Sequence, residues 1–195
     1  EASHHAIAQE RIAGIRFQGA VFTNLTQDHL DYHPTFEDYR NAKTKLFSIV
    51  PASGFGVVNI DDPAANAFIE ASRGRVYRYG RSGDVRAKNV TISATGTSFR
   101  LETPWGSRDL HSRLTGEHNV ANALAAVAAC GALGVDFDTI VAGLQSAGAV
   151  PGRFESIDEG QPFYVVVDYA HTDDGLRSVL AAARAICDEK IICVF

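Results

Sequence analysis

The chain contains no methionine and only three cysteines among its 195 residues. It begins at Glu1 rather than at a start methionine, so we expect it to be an internal part of a longer protein. Cys130, Cys187 and Cys193 form no C-x-x-C pair. So few cysteines in a mixed α/β pattern are typical of a reduced, cytoplasmic protein and argue against a disulfide-based scaffold.

The sequence also lacks a basic run and a long apolar run. Its formal net charge of -5 argues against a nucleic-acid partner. No apolar stretch approaches the roughly 20 residues that a membrane-spanning helix needs. We recognise neither a signal peptide nor a lipidation motif, and we therefore expect no membrane span. Hydrophobic residues make up 46% of the chain, which is enough for a well-packed core.

Apolar stretches alternate with helical patterns, which predicts an α/β fold. Strands are predicted in "GAVFTNL", "GFGVVNI" and "RVYRYG", and helices over residues 3–12, 35–50 and 64–73. Thr35, with Asp38 three residues later, is typical of a helix start. Residues 85–115 alternate apolar and polar positions between Gly and Pro turns, which predicts antiparallel hairpins. Two more helices are predicted, an alanine-rich one in "GEHNVANALAAVAACGALG" and one capped by Asp136.

A change of pattern at "VPGRF" predicts a boundary between a domain of residues 1–150 and a second domain of residues 151–195. Beyond it the pattern predicts two strands, a helix over 174–188 and a strand over 190–195. The strand in "FYVVVDYAHT" is apolar almost throughout, which predicts burial on both faces in a parallel sheet. The last three elements would form a βαβ unit.

The helix predicted after Pro34 has a lysine on its apolar face. At about 100° per residue, Lys43 shares a face with Tyr39 and Phe47, whereas Lys45 lies on the solvated flank. One interpretation is a long side chain that covers apolar surface and keeps its ammonium group in water. The other is a buried, neutral amine that takes up CO2 and offers two carbamate oxygens to Mg2+. The pattern alone leaves both open.

A polar cluster follows the first predicted strand, in "TNLTQDHLDYH". Ligands of open α/β sheets gather at the carboxyl ends of strands. Asp28, His29, Asp31 and His33 offer metal-binding atoms there. The alternative is a polar loop in which these side chains cap turns. The spacing alone does not name a metal.

Ser3 is typical of a helix cap, and backbone N–H groups at a helix start can face an anion. Gln9 and Arg11 lie at the end of the same predicted helix. They are either ordinary surface residues or hold a carboxylate or phosphate, and the sequence by itself favours the surface.

Further polar residues lie nearer the carboxyl end. Asn119 and Asn122 share a helix face, where they either cap the first turn or reach a base or substrate. Arg153 lies at the predicted boundary, and Asp168 and His171 follow a strand. An aspartate in such a position either binds a ribose hydroxyl or caps the next helix.

Several of these motifs together resemble the Mur ligases. "FTNLTQDHLDYHPTFEDYRNAKTKLF" is most similar to the member that adds the third residue of the peptidoglycan stem peptide, and "GEHNVANALAA", "VPGRFE" and "VVVDYAHTDDGL" follow in the family's order. The resemblance covers the whole chain. It implies the later part of a P-loop-type central ATPase domain, with a mostly parallel sheet and a small antiparallel section. The start of a Rossmann-like C-terminal domain would follow.

The resemblance also implies roles for individual residues. Glu1 and His29 would bind Mg2+, and a carbamylated Lys43 would support that site, so these three are the expected catalytic residues. The expected ATP contacts are Asn119, Asn122, Arg153 and Asp168, and the expected contacts to the UDP-N-acetylmuramoyl dipeptide are Ser3, Gln9 and Arg11.

The reaction implied by the resemblance is amide ligation in peptidoglycan biosynthesis by a cytoplasmic, monomeric enzyme. ATP would phosphorylate a carboxylate of the dipeptide substrate, and the amine of a diamino acid, meso-diaminopimelate or lysine, would attack the acyl phosphate. Two features depart from the family. "EASHH" places His4 where a serine is usual, and no G-x-x-G-K-[ST] loop is present. Without that loop we expect residues 1–195 alone to be inactive.

Three other functions remain open at this point. A hydrolase with a carbamylated lysine between two metals would need an H-x-H pair, which we do not find. A related ligase, such as a folylpolyglutamate or cyanophycin synthetase, would differ in substrate. A non-catalytic binding module could also retain the fold.

Overall fold

The computed structural model describes residues 2–25, 35–93, 95–148 and 150–194. The predicted α/β class is confirmed in this part of the chain. The helices are α1 (His4–Ala8), α2 (Phe36–Ile49), α3 (Ala65–Ala71), α4 (Glu117–Ala132), α5 (Phe137–Ser146) and α6 (Asp173–Ile186). The strands are β1 (Gly19–Phe22), β2 (Phe55–Asn59), β3 (Arg75–Tyr79), β4 (Arg86–Ser93), β5 (Gly96–Thr103), β6 (Gly106–Ser112), β7 (Glu155–Ile157) and β8 (Val165–Val167).

Strands β1, β2 and β3 form a parallel sheet in that order. Successive residues of a strand point to opposite faces, and here both faces are covered. Val57 packs in a cluster with α4, and Val58 packs in a cluster with α2 and α3. Both valines are fully buried. This two-sided burial explains why β2 has a continuous apolar sequence.

Strands β4, β5 and β6 form an antiparallel sheet, as the alternating pattern predicted. Phe99, Leu101 and Leu110 point from this sheet into the cluster that also holds α4 and α5. Gly131 of α4 faces Trp105 so closely that a Cβ atom there would lie 2.5 Å from the indole ring. A larger residue at this position would require the Trp105 ring, in the turn between β5 and β6, to shift.

Local hydrogen bonds set the helix ends. The backbone N–H of Asp38 donates to Thr35 Oγ1 at 3.1 Å, which confirms the predicted start of α2. Asp136 caps α5 through the N–H of Thr139 at 3.2 Å, also as predicted. Helix α1 is shorter than the predicted 3–12, because Gln9 ends it and Glu10 has a φ of 55°. Across the described ranges, no helix combines the length and apolarity that crossing a bilayer requires.

The region after Pro151 differs from three predictions. Strand β8 pairs with β7 in antiparallel fashion, and its Val167 is 46% exposed, so the predicted parallel strand with two buried faces is wrong. Residues 190–194 form no strand, and Ile192 and Val194 are 75% and 93% exposed. Burial on both faces requires covering layers, and a ladder requires a neighbouring backbone. The described residues supply no layers on both faces of β8 and no paired strand for residues 190–194, so the predicted βαβ unit is also not formed among them.

Candidate functional site

Lys43 lies on the buried side of α2, as its position in the sequence predicted. Its side chain is half-buried, and Nζ lies 4.8 Å from the centroid of the Tyr39 ring. Tyr39 is only 3% exposed, whereas Lys45 is exposed to solvent. An ammonium group over an aromatic face is attracted by the ring's electron density. The aromatic contact therefore holds the amine at a fixed place on the helix.

The predicted metal ligands Glu1 and His29 lie outside the described residues, together with the whole of segment 26–34. Their roles remain predictions. The described part of the chain contains no cluster of three His, Cys, Asp or Glu side chains able to hold a metal. Of the proposed magnesium site, the structure therefore places Lys43 alone.

The predicted substrate contacts lie in and after α1. Ser3 Oγ accepts a hydrogen bond from Ala6 N at 3.2 Å, so the predicted cap is confirmed. Gln9 ends the helix, and both Gln9 and Arg11 are exposed. Helix α1 packs against α2, the helix that carries Lys43. The structure thus brings the two segments together, while the substrate contacts stay predictions.

Asn119 and Asn122 lie at the start of α4 and touch each other. Asn119 Nδ2 donates to the carbonyl of Thr115 at 2.9 Å, which fastens the turn before the helix. Asn122 Nδ2 lies 3.5 Å from Asn119 Oδ1, a long and weak hydrogen bond. The side chain of Asn122 is exposed. Asn119 therefore ties α4 to the preceding turn without capping the helix, whose N-cap is Gly116, and Asn122 is the freer of the two amides.

Asp168 binds two backbone N–H groups within the predicted second domain, just after the predicted boundary. Its Oδ2 accepts from Phe154 N and its Oδ1 accepts from Ala170 N, each at 2.7 Å. Phe154 has a φ of 47°, which an L residue adopts only at a cost. The carboxylate therefore holds the strained turn that carries Arg153. The Arg153 guanidinium itself lies 5.4 Å from the Tyr169 ring centroid.

His118 joins α4 to this turn, and the sequence pattern had not singled it out. Its ring meets Phe154 edge-on, with centroids 6.2 Å apart. It also lies close to Gly116, where a Cβ atom would come within 2.8 Å of the imidazole. The feature of the sequence that could have drawn attention to His118 is its position next to Asn119, two residues after Gly116. The contact between His118 and Phe154 therefore places the start of α4, with its two asparagines, beside the turn that carries Arg153.

Burial lowers the pKa of His118, and the charge of Asp168 opposes this shift only in part. The unfolded chain therefore binds more protons than the folded chain below the ordinary histidine pKa of about 6.5. The free energy of unfolding rises with pH wherever the unfolded state binds more protons. The contribution of His118 is thus present above about pH 6.5 and is lost as the pH falls below that value.

Comparison with known proteins identifies the family to which this chain belongs. The model of the Mur ligase middle domain matches residues 1–130, and that of the Mur ligase glutamate ligase domain matches residues 152–195. This chain belongs to the Mur ligase family. The predicted resemblance is confirmed, and the family assignment argues against the metal hydrolase considered above.

Individual members of the Mur ligase family are similar over the full chain. Two proteins named UDP-N-acetylmuramoyl-L-alanyl-D-glutamate--2,6-diaminopimelate ligase match 100% of it. The protein from Geobacillus kaustophilus is 44% identical over 202 residues, or 41% of its length. The protein from Gloeobacter violaceus is 46% identical over 198 residues, or 40% of its length. The chain thus spans about two fifths of these relatives.

A solved structure of a ligase with the same name has a fold similar to this Mur ligase chain. The two superpose with a TM-score of 0.80 and 33% sequence identity. The superposition covers 95% of this chain and 39% of the other. The mixed parallel and antiparallel architecture is therefore that of the family.

Proposed function

We propose that this chain is part of an ATP-dependent amide ligase of peptidoglycan biosynthesis. The enzyme would add a diamino acid to UDP-N-acetylmuramoyl-L-alanyl-D-glutamate. The observation that supports this most strongly is similarity over the whole of this chain, at 44% and 46% identity, to ligases named for this substrate and for 2,6-diaminopimelate. These names favour meso-diaminopimelate over L-lysine as the incoming amine.

The reaction we propose has two steps. The D-glutamate carboxylate attacks the γ-phosphorus of ATP, giving an acyl phosphate and ADP. The amine of the diamino acid then attacks the acyl carbon, phosphate leaves, and the new amide nitrogen loses a proton. Such a reaction needs positioning and charge neutralisation more than covalent help from the protein.

Mg2+ fits the donor chemistry that we propose at α2. A carboxylate of Glu1 and the oxygens of a carbamylated Lys43 are hard ligands of the kind that Mg2+ prefers, and His29 would complete the set. The bound ion would neutralise phosphate charge. The contribution of this chain is to hold the Lys43 amine in place, through the packing of α2 and the contact with Tyr39 at 4.8 Å.

We further propose that ATP binds where α4 meets the turn at the domain boundary. Asn122 is exposed there, and Arg153 is exposed on the turn that Asp168 holds. Because both Asp168 oxygens accept backbone N–H groups, its main action would be to orient Arg153. Asn119 would act similarly by fixing the start of α4 for Asn122.

The test uses the full-length parent protein, with UDP-N-acetylmuramoyl-L-alanyl-D-glutamate, ATP and Mg2+. Phosphate release is compared with meso-diaminopimelate, with L-lysine and with no amine. We expect release with meso-diaminopimelate and little with lysine. Release with lysine alone would correct the amine, and no release with either from folded protein that binds ATP would refute the assignment. Residues 1–195 alone should be inactive.

A further inference from the structure

Thr97, Ser112 and Thr115 are the serines and threonines whose side chains are buried in the described part of the chain, each at most 6% exposed. We call them the hydroxyl cluster. Thr97 and Ser112 are cross-strand partners at one end of the β5–β6 ladder, and Thr115 lies in the loop between β6 and α4. A buried hydroxyl is costly unless it forms a hydrogen bond. The bonds that these side chains form therefore indicate what the cluster holds in place.

Two side chains of the cluster bind the backbone of Leu114. Thr97 Oγ1 donates to the Leu114 carbonyl at 2.9 Å, and Ser112 Oγ accepts from Leu114 N at 3.2 Å. One of these side chains lies on β5, and the other belongs to the last residue of β6. The end of the antiparallel sheet therefore holds both polar backbone groups of this loop residue.

The third side chain of the cluster connects the sheet to α4. Thr115 Oγ1 donates to the carbonyl of Ser93, the last residue of β4, at 3.2 Å. The carbonyl of Thr115 itself accepts from Asn119 Nδ2 at 2.9 Å. Asn119 Oδ1 in turn lies 3.5 Å from Asn122 Nδ2. A continuous chain of contacts thus runs from the antiparallel sheet, through Thr115, to the two asparagines of α4.

Gly116 lies between Thr115 and the first turn of α4. It is the N-cap residue and has a φ of 104°, and its carbonyl accepts from Asn119 N at 3.1 Å and from Val120 N at 3.2 Å. Glycine gives the backbone more conformational freedom than any other residue. Because Gly116 constrains the entry into the helix so little, the bonds of Leu114 and Thr115 have to supply the constraint.

The rest of α4 is held by apolar packing. Val120, Leu124 and Val127 are buried in a core cluster that includes residues of β5. Apolar burial is non-directional, whereas a hydrogen bond needs a defined distance and angle. The hydroxyl cluster therefore supplies directional contacts at the end of α4 that carries the two asparagines.

We propose that Thr97, Ser112 and Thr115 are positioning residues, which hold the first turn of α4 and so set the affinity of the proposed ATP site and its preference for adenine over guanine. This inference rests on the proposed function. An asparagine amide can accept from N6 and donate to N7 of adenine, whereas guanine presents two acceptors at these positions. Asn122 is exposed and offers such an amide. The hydroxyl cluster itself would touch no nucleotide.

The variants are made in the full-length protein. Thr115→Val and Thr97→Val each remove a hydroxyl and keep the shape of the side chain, while Thr115→Ser keeps the hydroxyl. The matched control is Thr103→Val. Thr103 lies at the other end of the β5–β6 ladder, where its Oγ1 donates to the carbonyl of Gly106 at 2.8 Å. The control therefore removes a hydrogen-bonded hydroxyl from the same sheet without touching the loop before α4.

The first test measures hydrogen–deuterium exchange. In Thr115→Val and Thr97→Val we expect peptides covering residues 112–122 to exchange about fivefold faster, the factor that one lost hydrogen bond of average strength implies. Peptides of α2 should exchange as in wild type. In Thr103→Val and Thr115→Ser, residues 112–122 should also exchange as in wild type.

The second test compares nucleotides. Calorimetry in the presence of Mg2+ gives the Kd for ATP, which should rise about fivefold in Thr115→Val and Thr97→Val. The ratio of kcat/KM with ATP to kcat/KM with GTP should fall by a similar factor, because an amide that is no longer held at one angle discriminates less. The KM for the dipeptide substrate should stay within about twofold. A purely structural role would lower stability without changing the nucleotide preference, and Thr115→Ser should restore both.

Unchanged exchange over residues 112–122 would overturn the proposal. Faster exchange with an unchanged Kd for ATP or an unchanged ATP-to-GTP ratio would overturn it too, as would an equal loss of ATP affinity in Thr103→Val. Should Thr115→Val fail to fold, Thr97→Val decides in its place. Should wild-type protein bind ATP without ligating, the proposed function fails, while the Kd values for ATP and GTP still decide the role of the hydroxyl cluster.

Discussion

Replacing Asp168 tests whether this residue acts on the protein backbone. In Asp168→Ala, the N–H groups of Phe154 and Ala170 lose acceptors that now lie at 2.7 Å. Hydrogen bonds to a charged acceptor contribute roughly 1.5–3 kcal/mol each when buried. Because Asp168 is only half-buried, we expect the lower end of the range, about 3 kcal/mol for the pair. Asp168→Asn keeps one acceptor and should lose about half as much.

The loss should be visible in urea unfolding of the 195-residue chain, followed by far-UV circular dichroism. Fluorescence of Trp105, the single tryptophan, provides a second probe, and coincident transitions would support a two-state treatment. The matched control is Asp158→Ala. Asp158 accepts from Gly160 N at 3.0 Å in an exposed turn, where water can replace it, so the expected change is within about 0.5 kcal/mol.

The same variants separate a backbone role from a ligand role when ATP affinity is measured on the full-length protein. We expect ATP affinity to fall together with stability, because the turn that carries Arg153 loosens. An Asp168→Ala variant with wild-type unfolding and weak ATP binding would refute our reasoning. It would show that Asp168 is a direct nucleotide ligand with a dispensable structural role.

Four further predictions concern α2, α4 and α5. Lys43→Arg keeps a cation but cannot form the carbamate, and should lower phosphate release about 100-fold in the full-length enzyme, whereas Lys45→Arg should not. His118→Gln should flatten the fall in thermal stability between pH 7 and pH 5, because the wild-type loss comes from protonating a buried imidazole. Gly131→Ala should cost about 1–3 kcal/mol by overpacking against Trp105. Gly143→Ala in α5, with no atom within 4 Å, should stabilise by about 0.4–1 kcal/mol.

Each of these predictions has an outcome that contradicts it. Equal activity of the Lys43 and Lys45 variants would remove the case for a carbamate. An unchanged pH profile in His118→Gln would place the acid sensitivity elsewhere. Similar unfolding curves for Gly131→Ala and wild type would show that the Trp105 contact is loose.

Local patterns in the sequence were enough to predict much of this structure. Thr35 and Asp38 predicted the start of α2, and the alternation of apolar and polar residues over 85–115 predicted the antiparallel sheet. The helical period predicted that Lys43 lies on the same face as Tyr39 and that Lys45 faces solvent, and the structure shows both. These features depend on residues a few positions apart, or on repeating patterns, so their physics is contained in the sequence itself. The order of the motifs likewise indicated the family.

Tertiary structure alone decided the rest. Whether the strand over Val165–Val167 pairs in parallel or antiparallel fashion depends on which backbone lies beside it, and its apolar composition predicted the wrong orientation. The hydrogen bonds from Leu25 N to Asp62 and from Tyr79 to the Phe22 carbonyl join residues 37 and 57 positions apart, and the use of both Asp168 oxygens depends on the turn at Phe154. Such contacts form only once the chain has closed long loops and excluded water, because no local pattern fixes which distant N–H a carboxylate will meet. The sequence by itself determined the elements, the family and the inward lysine, and the tertiary structure decided which backbone each polar side chain holds.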